Sequence, residues 1–311
     1  VFLRNLKKQT SAFALLIATF IFPSAGLVWA GVAVTDDLGR RLVFDAVPQR
    51  IVATASSNTV IVFDLGLDEV VVGVTSLTQF LTYAPEVQKE AEQKEKVGGI
   101  RDLNLEKIVA LKPDFVVLDS SQVKFLSQLD ELGARLGFKT YVSGPKDIDG
   151  ILENVVELGL ITGSLSRAKE IVGDIEFKRF RLRDAVAGLE HKKEALFIIW
   201  HDPVWTTGSD TFMGQAMELS GLKNIFGDIQ GFKVVSREEV VKRAPETIIV
   251  GPGVPIALDD LRRLFGNIRA VENKDVFTLT QEMGSMIEQP QTKVVDGIIG
   301  LFELVYKRGI D

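Results

Sequence analysis

One supersecondary unit occurs twice in this chain, its copies starting 132 positions apart at Asn104 and Ser236. The first reads Asn104-Leu-Glu-Lys-Ile-Val-Ala-Leu-Lys-Pro-Asp-Phe-Val-Val-Leu118, the second Ser236-Arg-Glu-Glu-Val-Val-Lys-Arg-Ala-Pro-Glu-Thr-Ile-Ile-Val250. Each opens with a capping-type polar residue two positions before a glutamate, Glu106 or Glu238. An amphipathic stretch follows, with Leu105, Ile108 and Val109 sharing a face in the first copy and Val240 and Val241 in the second. Pro113 and Pro245 then end the helix, because proline has no N–H for the ladder and clashes with the preceding turn. An acid and an apolar run come next, the pattern of a strand buried on both faces of a parallel sheet. Helix–proline–strand units also recur by chance in α/β proteins. Taken as a duplication, the pair predicts two α/β lobes, and a cleft between two lobes is a natural place to hold a ligand.

The rest of the pattern agrees. Short β-branched runs at 50–54 and 70–75 flank an apolar helical segment at 59–66. Strands are predicted at 115–118 and 139–142, with helices at 122–136 and 147–163. Beyond them, 195–200 reads as a buried strand, 211–221 as a helix, 247–250 as a strand, 257–265 as a helix, 275–279 as a strand and 291–307 as a terminal helix. Strands alternating with helices argue for an α/β fold with mostly parallel sheets. From Ser166 to Leu189 there is no proline, and apolar residues recur at helical spacing among charged ones. This segment predicts one long helix bridging the lobes, with Gly173 its weak point. The expected division is a signal segment at 1–30, a first lobe at 31–164, a bridge at 165–190 and a second lobe at 191–311.

Arg4, Lys7 and Lys8 precede an apolar stretch, and Val28-Trp29-Ala30 ends it with small residues that a signal peptidase reads. An uncleaved membrane anchor is the rival reading, although Pro23 and Gly26 interrupt the run. Cleavage after Ala30, or a few residues later, leaves about 280 residues and takes the net charge from −6 to −9. The chain has no cysteine, hence no disulfide, Fe–S cluster or lipid-modified cysteine, and a free periplasmic protein is expected. An acidic balance argues against nucleic acid, whose phosphates need clustered Lys and Arg. The charge run Lys89–Lys96 alternates in sign and reads as a solvated helix or loop.

Ligands of parallel sheets gather beyond the carboxyl ends of the strands, which nominates particular loops. They are Ser56, Ser57 and Asn58 after the first strand, Phe80 and Tyr83 after the second, Ile100 and Arg101 before the first repeat, Asp119 after a strand, and Gln281 with Glu282 after the last strand. Asn58 has the competing role of helix cap. The most distinctive loop is Trp200-His201-Asp202-Pro203-Val204-Trp205, where two of the three tryptophans and one of two histidines coincide. Aromatic rings at a strand end stack on flat ligands, and imidazole can ligate a metal or donate a hydrogen bond. The alternatives are Trp200 as the end of a core strand and His201 as a solvated turn residue.

With those residues in view, the chain resembles the periplasmic substrate-binding proteins of ABC importers for iron–siderophores, haem and vitamin B12. Val34-Thr-Asp-Asp-Leu-Gly-Arg40, Pro48-Gln-Arg-Ile-Val52, Ser57-Asn-Thr59, Leu65-Gly-Leu67, Val72-Gly-Val-Thr75, Val97-Gly-Gly99 and Asn104 to Asp114 follow the family's order. Asp202-Pro203, Thr207-Gly208, Thr211-Phe212, Glu218-Leu219, Gly221, Asn224-Ile-Phe226 and Val235-Ser-Arg-Glu-Glu239 resemble the cobalamin-binding branch. The resemblance implies two lobes joined by one rigid helix, little hinge motion, and a monomer that delivers a metal chelate to a permease dimer with its ATPase. It also implies one surface glutamate per lobe facing permease arginines, carried over here to Glu106 and Glu218. Leu77-Thr-Gln-Phe80 and Ile100 depart from the cobalamin branch's aromatic pattern, and under the haem alternative His201 or Tyr83 is the candidate axial ligand. No resident cofactor is expected, since the chelate is the cargo. No Gly-x-Ser-x-Gly elbow, phosphate loop or His-Glu-x-x-His motif is present, so no enzyme is expected. An acid–base pair of His201 with Asp202 or Glu282 is the enzymatic alternative, and a ligand sensor that does not transport is the other.

Overall fold

The computed structural model describes residues 31–310, so the expected signal segment and its cleavage point lie outside the described residues. An antiparallel hairpin of β1 (Val32–Thr35) and β2 (Arg41–Phe44) opens the chain. The first sheet is wholly parallel and contains β3 (Ile51–Ala53), β4 (Val71–Val74), β5 (Glu95–Lys96), β6 (Phe115–Asp119) and β7 (Lys139–Ser143) in the order β5-β4-β3-β6-β7. Its helices are α1 (Ser56–Asp64), α2 (Pro85–Gln93), α3 (Leu105–Ala110), α4 (Leu126–Leu136) and α5 (Ile148–Ile161). The helix read at 122–136 is α-helical only from Leu126, because Ser120–Phe125 winds as a tighter 3-10 turn capped by Asp119.

A single helix, α6 (Leu165–Ala187), follows, and its 23 residues span about 35 Å. Gly173 does not break it. The second parallel sheet contains β8 (Glu194–Ile198), β11 (Lys223–Asn224), β13 (Thr247–Val250) and β14 (Val276–Thr278) in the order β11-β8-β13-β14. A separate three-stranded antiparallel sheet joins β9 (Trp200–His201), β10 (Val204–Thr207) and β12 (Phe232–Val234). The strand read at 195–200 therefore ends at Ile198, and Trp200 belongs to a different sheet. The helices of this half are α7 (Phe212–Leu219), α8 (Arg237–Arg243), α9 (Leu258–Phe265), α10 (Arg269–Glu272), α11 (Gln281–Glu288) and α12 (Val294–Tyr306). The last-strand loop nominated at Gln281-Glu282 is the first turn of α11, capped by the Thr280 hydroxyl on Met283 N–H at 3.1 Å.

The repeated unit folds the same way twice. Asn104 and Ser236 cap α3 and α8 by accepting from the N–H three residues on, at 2.9 and 3.1 Å. Lys112 and Ala244, each directly before a proline, turn left-handed at φ 48° and 45° and bring the chain back into β6 and β13. A residue before proline is disfavoured in the right-handed helical region, so this is where each helix has to stop. Both helices cover the outer face of their sheet, α3 over Val52, Val116 and Leu118, α8 over Leu196, Ile248 and Val250. The inner faces share one continuous apolar core. It runs from Ile51, Phe115 and Ile151 through Ile171 and Leu182 of α6 to Phe197, Ile249 and Ile298. Polar contacts add to this junction: Lys178 on α6 meets Asp296 on α12 at 2.8 Å, and Asp64 on α1 meets Thr292 and Lys293.

Candidate ligand-binding cleft

Segments that leave the carboxyl ends of strands in one sheet touch those that leave them in the other. The Tyr83 hydroxyl, beyond β4, donates to Gln289 Oε1 at 3.4 Å, just past α11. Gln215 in the first turn of α7 donates to the Lys146 carbonyl, beyond β7, at 2.9 Å. Segments beyond the carboxyl ends of the two sheets thus meet at these two points. A crevice of about 280 Å³ between α6, α7, α12 and the start of α5 lies elsewhere, because no strand-end loop named above lines it.

The three-stranded sheet beyond β8 carries an exposed apolar face. Trp205 stands directly opposite Trp200 on β9 and opposite Val234 on β12, while Phe232 stands opposite Thr207. Opposed residues share a face, as do residues two apart along a strand, so Trp200, Trp205, Val234 and Phe232 lie on one side of the three-stranded sheet. They are 44, 40, 51 and 52% exposed, a large apolar patch with nothing folded over it. The Trp200 indole N–H is held by the Asp202 carbonyl at 3.0 Å. Trp200 is therefore neither a core residue nor the end of a core strand. Phe232 and Val234 escaped the sequence reading; the only local signal was apolar–polar–apolar alternation over three residues, and their partners lie 25 or more residues away.

His201 occupies the other side. It stands opposite Val204, which is buried in the outer core, and its charge reaches Asp260 on α9 as the last of several influences that lower that carboxyl, the Ala257 N–H being the first. Its Nδ1 is buried without a partner among the described residues. The register thus places His201 on the other side of the sheet, yet its ring packs against that of Trp200, with centroids 5.1 Å apart and planes tilted by 41°. Tyr83 is 7% exposed, and burial pushes its phenol well above the usual range, with nearby Asp64 adding to the effect. A haem-ligating tyrosine must give up its proton, which this environment opposes. Tyr83 does not suit the axial role expected of it under the haem alternative.

On the first lobe, Phe80 and Ile100 are exposed at 39 and 45%, and Arg101 is exposed beside them in sequence. Ser56, Ser57 and Asn58 are buried: Ser56 donates to the Leu77 carbonyl at 3.1 Å, Asn58 lies within α1, and the cap position belongs to Ala55. Their expected role as open ligand contacts gives way to packing of the α1 start. Asp119 accepts from Ser121 N–H at 2.8 Å and caps the 3-10 turn. Gln281 and Glu282 are exposed on the first turn of α11. At the other end of that helix Glu288 still reaches water, yet burial raises its carboxyl above the usual range.

Glu106 is exposed in the first turn of α3. Glu218, the partner carried over for it, stands in the last turn of α7, accepts from Ser209 at 3.2 Å and lines the crevice beside α6. The position matching Glu106 in the second lobe is Glu238, in the first turn of α8. Its own N–H and the Ser236 hydroxyl hold that carboxyl below the usual range, so it stays ionised.

Two helix-flanked parallel sheets joined through one long helix and a continuous apolar core, with an exposed aromatic face beyond one of them, are an architecture suited to capturing a small molecule. The model of the periplasmic binding protein family matches residues 51–283, and the chain belongs to that family. An ABC transporter substrate-binding lipoprotein of Bacillus subtilis is 26% identical over 282 residues, covering 88% of this chain and 85% of that protein. The vitamin B12-binding protein of Pectobacterium carotovorum is 29% identical over 210 residues, covering 66% of this chain and 72% of that protein. Among solved structures, the periplasmic vitamin B12-binding protein BtuF of Vibrio cholerae superposes with a TM-score of 0.69 at 22% identity, covering 84% of this chain and 97% of that one. The family is one of binding and transport proteins. The Bacillus relative also corrects the expected location: it is a lipoprotein, so the reading of a freely released protein, never lipid-anchored, does not stand.

Proposed function

We propose that this chain is the substrate-binding component of an ABC importer and that its cargo is a cobalamin-type corrinoid held between the two carboxyl edges. The apolar face of Trp200, Trp205, Phe232 and Val234 carries this reading. A corrin is a broad, nearly flat macrocycle, and stacking it on exposed aromatic rings buries more apolar area than any small polar solute offers. The vitamin B12-binding relative supports the same cargo. Haem is disfavoured because Tyr83 is buried and hard to ionise. An anionic ferric chelate wants converging cations, and Arg101 is the one arginine among the nominated loops. The corrinoid is cargo rather than a resident cofactor.

Delivery follows from the repeat. Glu106 and Glu238 occupy equivalent first-turn positions on the outer helices of the two lobes, so one monomer presents two similar acidic points to a twofold permease. Calorimetric titration of the purified protein with cyanocobalamin, haemin and a ferric hydroxamate tests the cargo. Binding of cyanocobalamin, weakened by Trp205→Ala, is expected; binding of haemin or the hydroxamate alone would overturn the corrinoid reading.

A further inference from the structure

The wall of the first lobe hangs on one buried amide. Gln122 sits in the 3-10 turn after β6, is 0% exposed, and uses both of its N–H donors. One goes to the Thr54 carbonyl at the end of β3, 3.2 Å away, and the other to the Gly99 carbonyl at 3.0 Å. Its own carbonyl accepts the Thr54 hydroxyl at 2.5 Å. The same Thr54 oxygen accepts Asp119 N–H at 3.2 Å. A fully buried amide costs free energy unless its polar atoms are paired, and leucine or methionine would fill the volume without that cost. Gln122 therefore contributes geometry more than stability.

The segment it holds carries Ile100 and Arg101. Three of the four carbonyls from Gly98 to Arg101 are gripped from outside the loop: Gly98 by Ser76 N–H at 2.8 Å, Gly99 by Gln122, and Arg101 by Lys124 Nζ at 3.0 Å. Asp102 closes the loop from within through Gly99 N–H at 3.0 Å. The two outer contacts have substitutes. Thr75 Oγ1 also reaches the Gly98 carbonyl, at 3.3 Å, and the Lys124 contact is exposed to water. Among the described residues the Gln122 contact has none, and it ties the loop to the central strand of the sheet.

We infer that Gln122 is the positioning residue of the first-lobe wall, fixing Ile100 and Arg101 in advance where the cargo meets them. This rests on the reading that the 98–101 loop faces the cargo. A preformed wall spares the ligand the entropy of ordering a glycine-rich loop.

The experiment compares wild type with Gln122→Leu, the milder Thr54→Val, and Val155→Ala as a control that cavitates the same lobe's inner core. Hydrogen exchange across 97–104 reads the loop without any ligand, and cyanocobalamin titration reads binding. Gln122→Leu should speed exchange in that segment and weaken cyanocobalamin about tenfold, Thr54→Val should do both less, and Val155→Ala should lower the melting temperature with neither effect. Unchanged exchange in 97–104 for both Gln122→Leu and Thr54→Val overturns the inference whatever the cargo. Faster exchange with unchanged affinity overturns it too, because the loop then would not matter to capture. If wild type binds no cyanocobalamin, the corrinoid reading falls, and the exchange pattern alone decides whether Gln122 positions the wall.

Discussion

The two lobes share a crossover unit but treat their carboxyl edges differently. The first lobe spends its edge on hydrogen bonds: Thr54, Gln122, Gly99, Ser56 and Asp119 tie loop to strand, and Phe80, Ile100 and Val123 reach out as large apolar side chains. The second lobe adds a whole antiparallel sheet beyond β8 and displays four exposed apolar residues on it. One edge is a fixed polar wall and the other an aromatic platform. Duplication thus accounts for the scaffold and for the paired glutamates on its outer helices, whereas ligand recognition resides in what the two halves do not share.

The shared part is tested by docking, where the largest effect is expected. Reversing Glu106 and Glu238 together should weaken association with the cognate permease–ATPase complex by roughly a hundredfold or more, since each would bring like charges together at a desolvating interface. Each single reversal should give part of this loss, salt-dependent for pairs near the rim. Cyanocobalamin affinity in solution should stay unchanged. Glu218→Arg is the contrast, because that residue borders the crevice beside α6 and should leave association intact. Equal losses from Glu218→Arg and Glu238→Arg would break the pseudo-symmetric pairing.

The unshared part is tested by truncating one aromatic on each edge. Trp205→Ala should cost about 1–3 kcal/mol in cyanocobalamin affinity with little change in melting temperature, because the ring is exposed in the free protein. Phe80→Ala on the opposite wall should cost less, about 0.5–1 kcal/mol. A reversed ranking would make the first lobe the platform. Gly98→Ala probes the wall's backbone: at φ 103° an added Cβ would stand 2.3 Å from the Asp102 carbonyl oxygen. That clash should lower stability by about 1–3 kcal/mol. Gly39→Ala shares the positive φ but meets nothing within 4 Å, and should cost less in urea unfolding.

How much of this was legible in sequence follows from how local each signal is. The capping residue, the proline and the apolar run of each repeat lie within fifteen residues of one another, so both α3–β6 and α8–β13 could be read directly. The uninterrupted apolar spacing of α6 was equally local. By contrast, β12 is three residues long and exists through pairing with β10, a contact no local pattern announces. The α11 segment was taken for a loop because Gly284 interrupts it, although Met283, Met286 and Ile287 already held helical spacing. Gly284 is needed there, since a Cβ would sit 2.4 Å from the Pro252 ring. Glu238 was visible from the outset as the repeat's match to Glu106, yet Glu218 was preferred on resemblance. The His201 orientation needed the strand register, which places it opposite Val204 instead of beside Trp205 on the platform side.

The smallest predicted effect concerns Glu288 at the end of α11, and it asks whether the second lobe's edge carries a charge as well as a platform. Burial raises the Glu288 carboxyl above its ordinary value of 4.5. A carboxyl raised on folding contributes most favourably below that ordinary value, where it is neutral in both folded and unfolded chains. The contribution is lost as pH rises through the folded value, because the unfolded chain then releases its proton more readily. Glu288→Gln is neutral at every pH and escapes that loss. Its melting temperature should match wild type near pH 4 and exceed it modestly at pH 7; other titrating groups are common to both proteins and cancel in the difference. A difference that stays constant from pH 4 to pH 7 would put Glu288 in open water. The second lobe's edge would then be apolar recognition alone, with no buried carboxylate beside it to favour the amide donors of a corrinoid over anionic chelates.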